Sequence, residues 1–144
     1  MSSKVTLFYD IISPYSWAGF EYATRYSQNS WKNTSLQIKP FFLGGIMQGS
    51  KNKPPGLVPN KMKFMGHDMK YKKMYDAVPL NPIKDAPTKL FKKGAMDAQR
   101  VLTAMNLDKN DKLEEVSRQF SVKMWHTDED VTDVGVLKGT PRKM

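Results

Sequence analysis

Ser13-Pro14-Tyr15-Ser16 lies where a run of β-branched and aromatic residues, Val5-Thr6-Leu7-Phe8-Tyr9, gives way to a helical pattern. Ser13 is a good N-cap, and Pro14 suits the first helical position, where its missing N–H costs nothing. The first-turn N–H groups of a helix have no partners within the helix. They sit at the positive end of the macrodipole, so an anion is stabilised there. With a serine hydroxyl at the same point, that anion can be a thiolate. The chain contains no cysteine, so the thiol would have to arrive with a ligand. Lowering a thiol pKa from about 8.5 to ~6.5 requires roughly 2.7 kcal/mol. One hydroxyl hydrogen bond to a charged sulfur supplies about 1.5–3 kcal/mol, and the helix terminus adds ~0.3–1 kcal/mol. Together these suffice without a general base. The plainer alternative is that Ser13 only caps its own helix, and local sequence leaves both readings open.

Other chemistries are poorly provided for. Without cysteine there is no disulfide, no thiolate zinc or iron–sulfur site and no cysteine nucleophile. Two histidines make a histidine-rich metal site unexpected, and none is assigned. His67 and Asp68 are neighbours on one helix and do not face each other, so they form no dyad and read as surface residues. His126, beside the acids at 128–130, is weak evidence for a metal or a pH response. No P-loop, GxGxxG, GxSxG or HExxH pattern occurs.

The 144 residues carry 23 Lys and Arg against 14 Asp and Glu, a net charge of +9. The excess is local: Lys51, Lys53, Lys61, Lys63, Lys70, Lys72 and Lys73 are opposed only by Asp68 up to Tyr75. Such a field draws in anions. It reads first as a solvated lysine face. Lysine outnumbers arginine 19 to 4, and no nucleic-acid-binding signature is present, so nucleic acid is not the expected partner. No apolar run approaches the ~20 residues that span a bilayer, and no targeting segment is visible at either end.

The elements that must position Ser13 follow from periodicity. Val5 to Tyr9 reads as a buried strand. Trp17, Phe20, Ala23 and Tyr26 recur at helical spacing, which predicts a helix over 14–28 with Trp17 in the core. Leu36, Ile38 and Phe41 form a second strand that Pro40 places at an edge or ends. Strand, helix and strand in this order favour a parallel βαβ unit, closed by Gly44-Gly45. Residues 48–60 read as a loop. Met62, Met65 and Met69 give a helical stripe expected to pack in the core. Pro79, Pro82 and Pro87 mark a second loop. Ala95, Ala98, Leu102 and Met105 define a further helix after Gly94. Asn110 or Asp111 should cap a last helix with Leu113, Val116, Phe120 and Met124 inward. After Thr132 the chain reads as a frayed tail.

Four segments together resemble the kappa-class glutathione transferases, relatives of DsbA and of the 2-hydroxychromene-2-carboxylate isomerases. They are LFYDIISPYSWAGFE, GGIMQGSKNKPPGLVPNK, KKGAMDAQRVLTAMNL and WHTDEDVT. The resemblance covers about Lys4 to Thr132 and implies an α/β architecture, a thioredoxin-like fold with an all-helical DsbA-like insertion. It implies transfer of glutathione to small electrophiles and peroxidase activity on hydroperoxides, with glutathione as co-substrate and no further cofactor. In DsbA-like relatives the position of Ser13 holds the attacking cysteine; here Ser13 would hydrogen-bond the glutathione sulfur. Pro14 and Tyr15 fall on positions lining the same ligand, Asn52 on a glutathione-binding asparagine, and Lys61 on a lysine near a glutathione carboxylate. Ser16 takes the place of the second, resolving cysteine and is assigned to packing or helix-turn bonding.

Two departures qualify the resemblance. Lys51 stands where the family has a small residue. The family also continues for about eighty residues, including the β-β-α half of the thioredoxin fold, so this sequence reads as a truncated form with an incomplete fold. The expected organisation is an N-terminal βαβ half over 1–46, a helical insertion over 47–132 and a divergent tail over 133–144. The resemblance implies a homodimer for complete members and a mitochondrial matrix or peroxisomal location, with the cytoplasm also compatible. Two alternatives remain: a glutathione-dependent isomerase using the same site, and a non-catalytic product that binds anions or partners through its lysine-rich face.

Overall fold

A computed structural model describes residues 3–86, 88–90 and 94–131 of the chain. The element order is strand β1 (Ser3–Tyr9), helix α1 (Pro14–Asn29), strand β2 (Thr34–Pro40), helix α2 (Leu43–Gly49), a 3-10 turn (Pro55–Leu57), and helices α3 (Pro59–Tyr75), α4 (Met96–Leu107) and α5 (Leu113–Trp125). Strands β1 and β2 pair in parallel, from Ser3 opposite Thr34 to Tyr9 opposite Pro40, so α1 is the crossover of a βαβ unit. Proline ends β2, as its missing N–H requires. This mixed α/β arrangement is the one expected for a DsbA-like thioredoxin fold.

The core lies where α1, α4 and α5 meet the C-terminal ends of the strands. Tyr9, Ile11, Trp17, Phe20, Leu102 and Phe120 are all essentially inaccessible. Helix α5 buries Leu113, Phe120 and Met124 as its spacing predicts, with Val116 packed at the margin. Its N-cap is Lys112 with no side-chain bond. The expected cap Asn110 acts one turn earlier, its Oδ1 accepting the Lys112 N–H at 2.9 Å.

Four expectations are corrected. Strand β1 is not buried: only Tyr9 is enclosed and Phe8 is 60% exposed, because two strands give α1 and α4 little sheet to cover. The inward face of α1 is Trp17, Phe20, Glu21 and Thr24, while Tyr26 turns out and stacks on Trp31. Buried Glu21 tolerates this position by pairing with Arg25 at 3.1 Å and with Arg118. Gly44-Gly45 do not simply close the unit; they lie within α2, which extends into the segment read as loop. The methionine stripe is core only at one end: α3 buries no residue, Met62 is exposed, Met65 is half-buried, and half-buried Met69 packs against the margin of the core. Pro87 and the tail after residue 131 lie outside the described residues.

Candidate active site

The turn between β1 and α1 is built around Asp10, a residue the sequence reading did not single out. Its side chain is fully buried. One carboxylate oxygen accepts the Ile12 N–H at 3.1 Å and the other accepts the Leu43 N–H at 2.8 Å. Its backbone carbonyl accepts the Ser13 N–H at 3.0 Å. Burial pushes the Asp10 carboxyl above its ordinary range, and the two N–H donors pull partly back. A single acid thus holds the turn carrying Ser13 against the first residue of α2. Trp125 Nε1 holds the turn from behind, donating to the Ile11 carbonyl at 2.7 Å, and Trp17 Nε1 ties α1 to the segment after α3, donating to the Pro79 carbonyl at 3.1 Å. Gln99 of α4 reaches the strand ends, donating to the carbonyls of Tyr9 at 3.1 Å and Phe41 at 2.7 Å.

Ser13 is the N-cap of α1, in extended conformation, with Pro14 at the first helical position. Its Oγ accepts the Ser16 N–H at 3.2 Å, which also gives Ser16 its helix-turn bond. Capping uses the oxygen's lone pair and leaves the hydroxyl proton free to donate. Among the described residues, Ser13 Oγ has no acceptor for that proton. The capping reading and the thiolate reading are therefore compatible in one side chain. No acidic residue occupies the first turn of α1.

In front of Ser13 opens a cleft of about 650 Å³. The β1–α1 turn supplies Asp10, Ile12, Ser13, Pro14, Tyr15 and Ser16. Phe42, Leu43, Gly44 and Met47 come from the start of α2, Pro54-Pro55-Gly56 from the following loop, Met65 from α3, and Leu90 and Met96 from the approach to α4. Among the described residues no basic side chain lines it. The Tyr15 phenol faces the Asp68 carboxylate, which also pairs with Lys72 at 3.7 Å. Burial first, and then Asp68, raise the Tyr15 phenol, so it stays protonated. Asp68, read from sequence as a surface residue, thus ties α3 to the mouth of the site.

Of the residues singled out in the sequence, Ser13, Pro14 and Tyr15 converge on the cleft. Asn52 and Lys61 do not line it; both are exposed. The Asn52 loop does supply a wall, through Pro54 to Gly56, but Asn52 Oδ1 is engaged by the Lys53 N–H at 2.8 Å. Lys51 adopts φ of 55°, a left-handed conformation. Sequence reasoning missed Asp10, Asp68, Phe42 and Met96. Only Asp10 left a trace, as a lone acid between apolar residues three positions before the cap.

Among the described residues no group of three or more His, Cys, Asp or Glu is placed to hold a metal ion. His126 instead meets Asn81, whose Nδ2 donates to its backbone carbonyl at 2.6 Å. No helix among the described residues is long and apolar enough to cross a membrane.

Comparison with known proteins places this geometry in a family. Glutathione S-transferase kappa 1 of Homo sapiens is 44% identical over 129 residues, 90% of this chain and 56% of the relative. Glutathione S-transferase kappa 1 of Rattus norvegicus is 42% identical over 127 residues, 88% and 55% of the respective chains. Glutathione S-transferase kappa 2 of Caenorhabditis elegans is 37% identical over 125 residues, 85% and 52%. The chain spans about half the length of these curated relatives. A family model described as the DSBA-like thioredoxin domain matches residues 4–144, and the chain belongs to that family.

Proposed function

We propose that this chain carries the thiol-binding half of a kappa-class glutathione transferase site, with Ser13 donating its hydroxyl proton to the glutathione sulfur. The observation that carries this reading is Ser13 itself: a helix N-cap facing a cleft, with its oxygen occupied as acceptor and its proton unclaimed among the described residues. The relatives named glutathione S-transferase support the substrate. The thiol proton leaves to solvent, and the sulfur is held as thiolate by the hydroxyl and the first turn of α1. Attack on an electrophilic carbon forms the S–C bond as the leaving group departs with its electron pair. With a hydroperoxide, the sulfur attacks the outer oxygen and the O–O bond breaks, giving an alcohol and a sulfenic acid. A second glutathione then converts the sulfenic acid to a disulfide, releasing water.

The two glutathione carboxylates are assigned to the exposed side of the loop that carries Asn52 and towards Lys61, since no cation among the described residues lines the cleft. Asn52→Ala should then raise the glutathione KM with little change in kcat. Homodimerisation and a mitochondrial or peroxisomal setting belong to this same reading.

The test is a glutathione titration of the 144-residue chain followed by thiolate ultraviolet absorbance, alongside conjugation of an activated haloarene. Ser13→Ala should lower turnover about ten- to hundredfold, the worth of one charge-assisted hydrogen bond, while glutathione still binds. The same change removes a cap and costs about 1 kcal/mol of stability, so Ser13→Thr, which keeps both hydroxyl and cap, serves as the control. Equal turnover with and without the hydroxyl would remove Ser13 from the chemistry. Binding of any polyanion with a steep salt dependence, and none of glutathione, would favour the lysine-face reading.

A further inference from the structure

The cleft before Ser13 does not end at Phe42. On the far side of that residue lies a second groove of about 410 Å³, bounded by Phe41, Thr103, Ala104 and Leu107. Phe42 and Met96 belong to the walls of both spaces. The Phe42 ring is seated on the backbone of α2. A Cβ at Gly44 would lie 2.9 Å from its Cζ, and a Cβ at Gly45 would lie 3.0 Å from its Cδ1. Either methyl would push the ring away, so the pair of glycines is what allows it to lie there. Met96, shared by the two spaces, is unbranched and adapts readily to a guest. Among the described residues no lysine lines either space, and Arg100 in the outer groove is engaged with Asp97 at 3.0 Å.

We propose that Phe42 is a chain-length gate, and that the co-substrate is an electrophile or hydroperoxide with a linear aliphatic chain running from Ser13 past this ring toward Leu107. The proposal rests on reading Ser13 as the thiol site. The two compartments are apolar in series, and one aromatic ring decides whether a chain sees one or both.

The test is calorimetric binding of S-alkylglutathiones, from S-methyl to S-decyl, to the full 144-residue chain. In the natural protein, affinity should rise about fourfold per added methylene while the chain fills the inner cleft, then level off where it meets the ring. In Phe42→Ala the rise should continue to longer chains, so that the break point moves outward whatever the change in S-methylglutathione affinity. Phe42→Leu, which keeps an apolar side chain of smaller size, should place the break at an intermediate length. Gly44→Ala, by dislodging the ring, should also move it. An unchanged break point in all three, or an equal loss at every chain length, overturns the gate.

Failure of the thiol-site reading looks different, because neither glutathione nor S-methylglutathione would bind at all. The gate is then judged with n-alkanols from hexanol to dodecanol displacing a fluorescent apolar dye, which needs no glutathione. A break point that shifts in Phe42→Ala supports the gate, and one that stays overturns it.

Discussion

The two walls of the cleft are built on opposite principles. The wall that carries Ser13 is backed by the core. Asp10 and Trp125 bond backbone groups of the β1–α1 turn, Trp17 ties α1 to the Pro79 carbonyl, and each is at most 7% exposed. The opposite wall, α2 and α3, contains no buried residue at all. Helix α3 is held mainly through its side chains and C-terminal end. Tyr15 meets Asp68, Tyr22 donates to Asp76, and Arg25 donates to the carbonyls of Asp76 and Ala77. Met65 and Met69 add half-buried apolar contact. The contrast separates two demands. A hydrogen bond to sulfur needs an atom fixed to within tenths of an ångström, which close packing provides. A wall of methionine and phenylalanine needs only to close around apolar guests of differing shape.

The sharpest way to break this contrast is to truncate the same residue type on each side. Phe120→Ala, in the fully enclosed core, should lower the free energy of unfolding by about 3–5 kcal/mol. Phe64→Ala on α3, where the ring is 67% exposed, should change it by no more than about 0.5 kcal/mol. Denaturant unfolding of both variants measures the difference. Comparable losses would mean that α3 is as integral to the fold as α5.

Asp10 joins the two walls and should fall next. Asp10→Asn replaces an acceptor by an amide N–H facing a backbone N–H, and should cost about 1–3 kcal/mol. Its pH signature distinguishes it from a neutral packing defect. The native carboxyl titrates above the unfolded value, so the folded state binds more protons between the two. Its contribution is therefore full below the ordinary carboxylate range and is lost as pH rises through the raised folded value. Unfolding free energy of the natural protein should carry this negative slope with pH, and Asp10→Asn should remove it. Identical slopes in the two proteins would show that Asp10 does not titrate in this way.

The smallest effect lies in the loose wall. Lys51 adopts a left-handed backbone that glycine reaches without steric penalty. Lys51→Gly should therefore stabilise the chain by roughly 0.5–1 kcal/mol, read from the same denaturant curves. A loss of stability would mean that the lysine side chain contributes more than its backbone strain costs.

How much of this was legible beforehand divides along the same line. The βαβ unit, the cap at Ser13, the proline at the start of α1, and the inward face of α5 were all readable. Each depends on residues three or four apart, or on alternation within one strand. Asp10 was not, because its partner Leu43 is thirty-three residues away and no local pattern marks the pairing. The Met62, Met65 and Met69 stripe misled for a related reason. Helical spacing shows which residues share a face, but not whether anything covers that face.

Taken alone, the sequence determined the order and type of most elements, the serine hydroxyl at a helix start, the absence of any thiol, and the basic loop. These are properties of composition and of short-range backbone hydrogen bonding. Only the tertiary structure decided that a buried acid joins the β1–α1 turn to α2, that Asp68 secures Tyr15, that Asn52 turns aside while its neighbouring prolines form a wall, and that Phe42 rests on two glycines between two apolar spaces. Those depend on contacts between residues distant in the chain, whose geometry follows from how the helices pack rather than from any single segment.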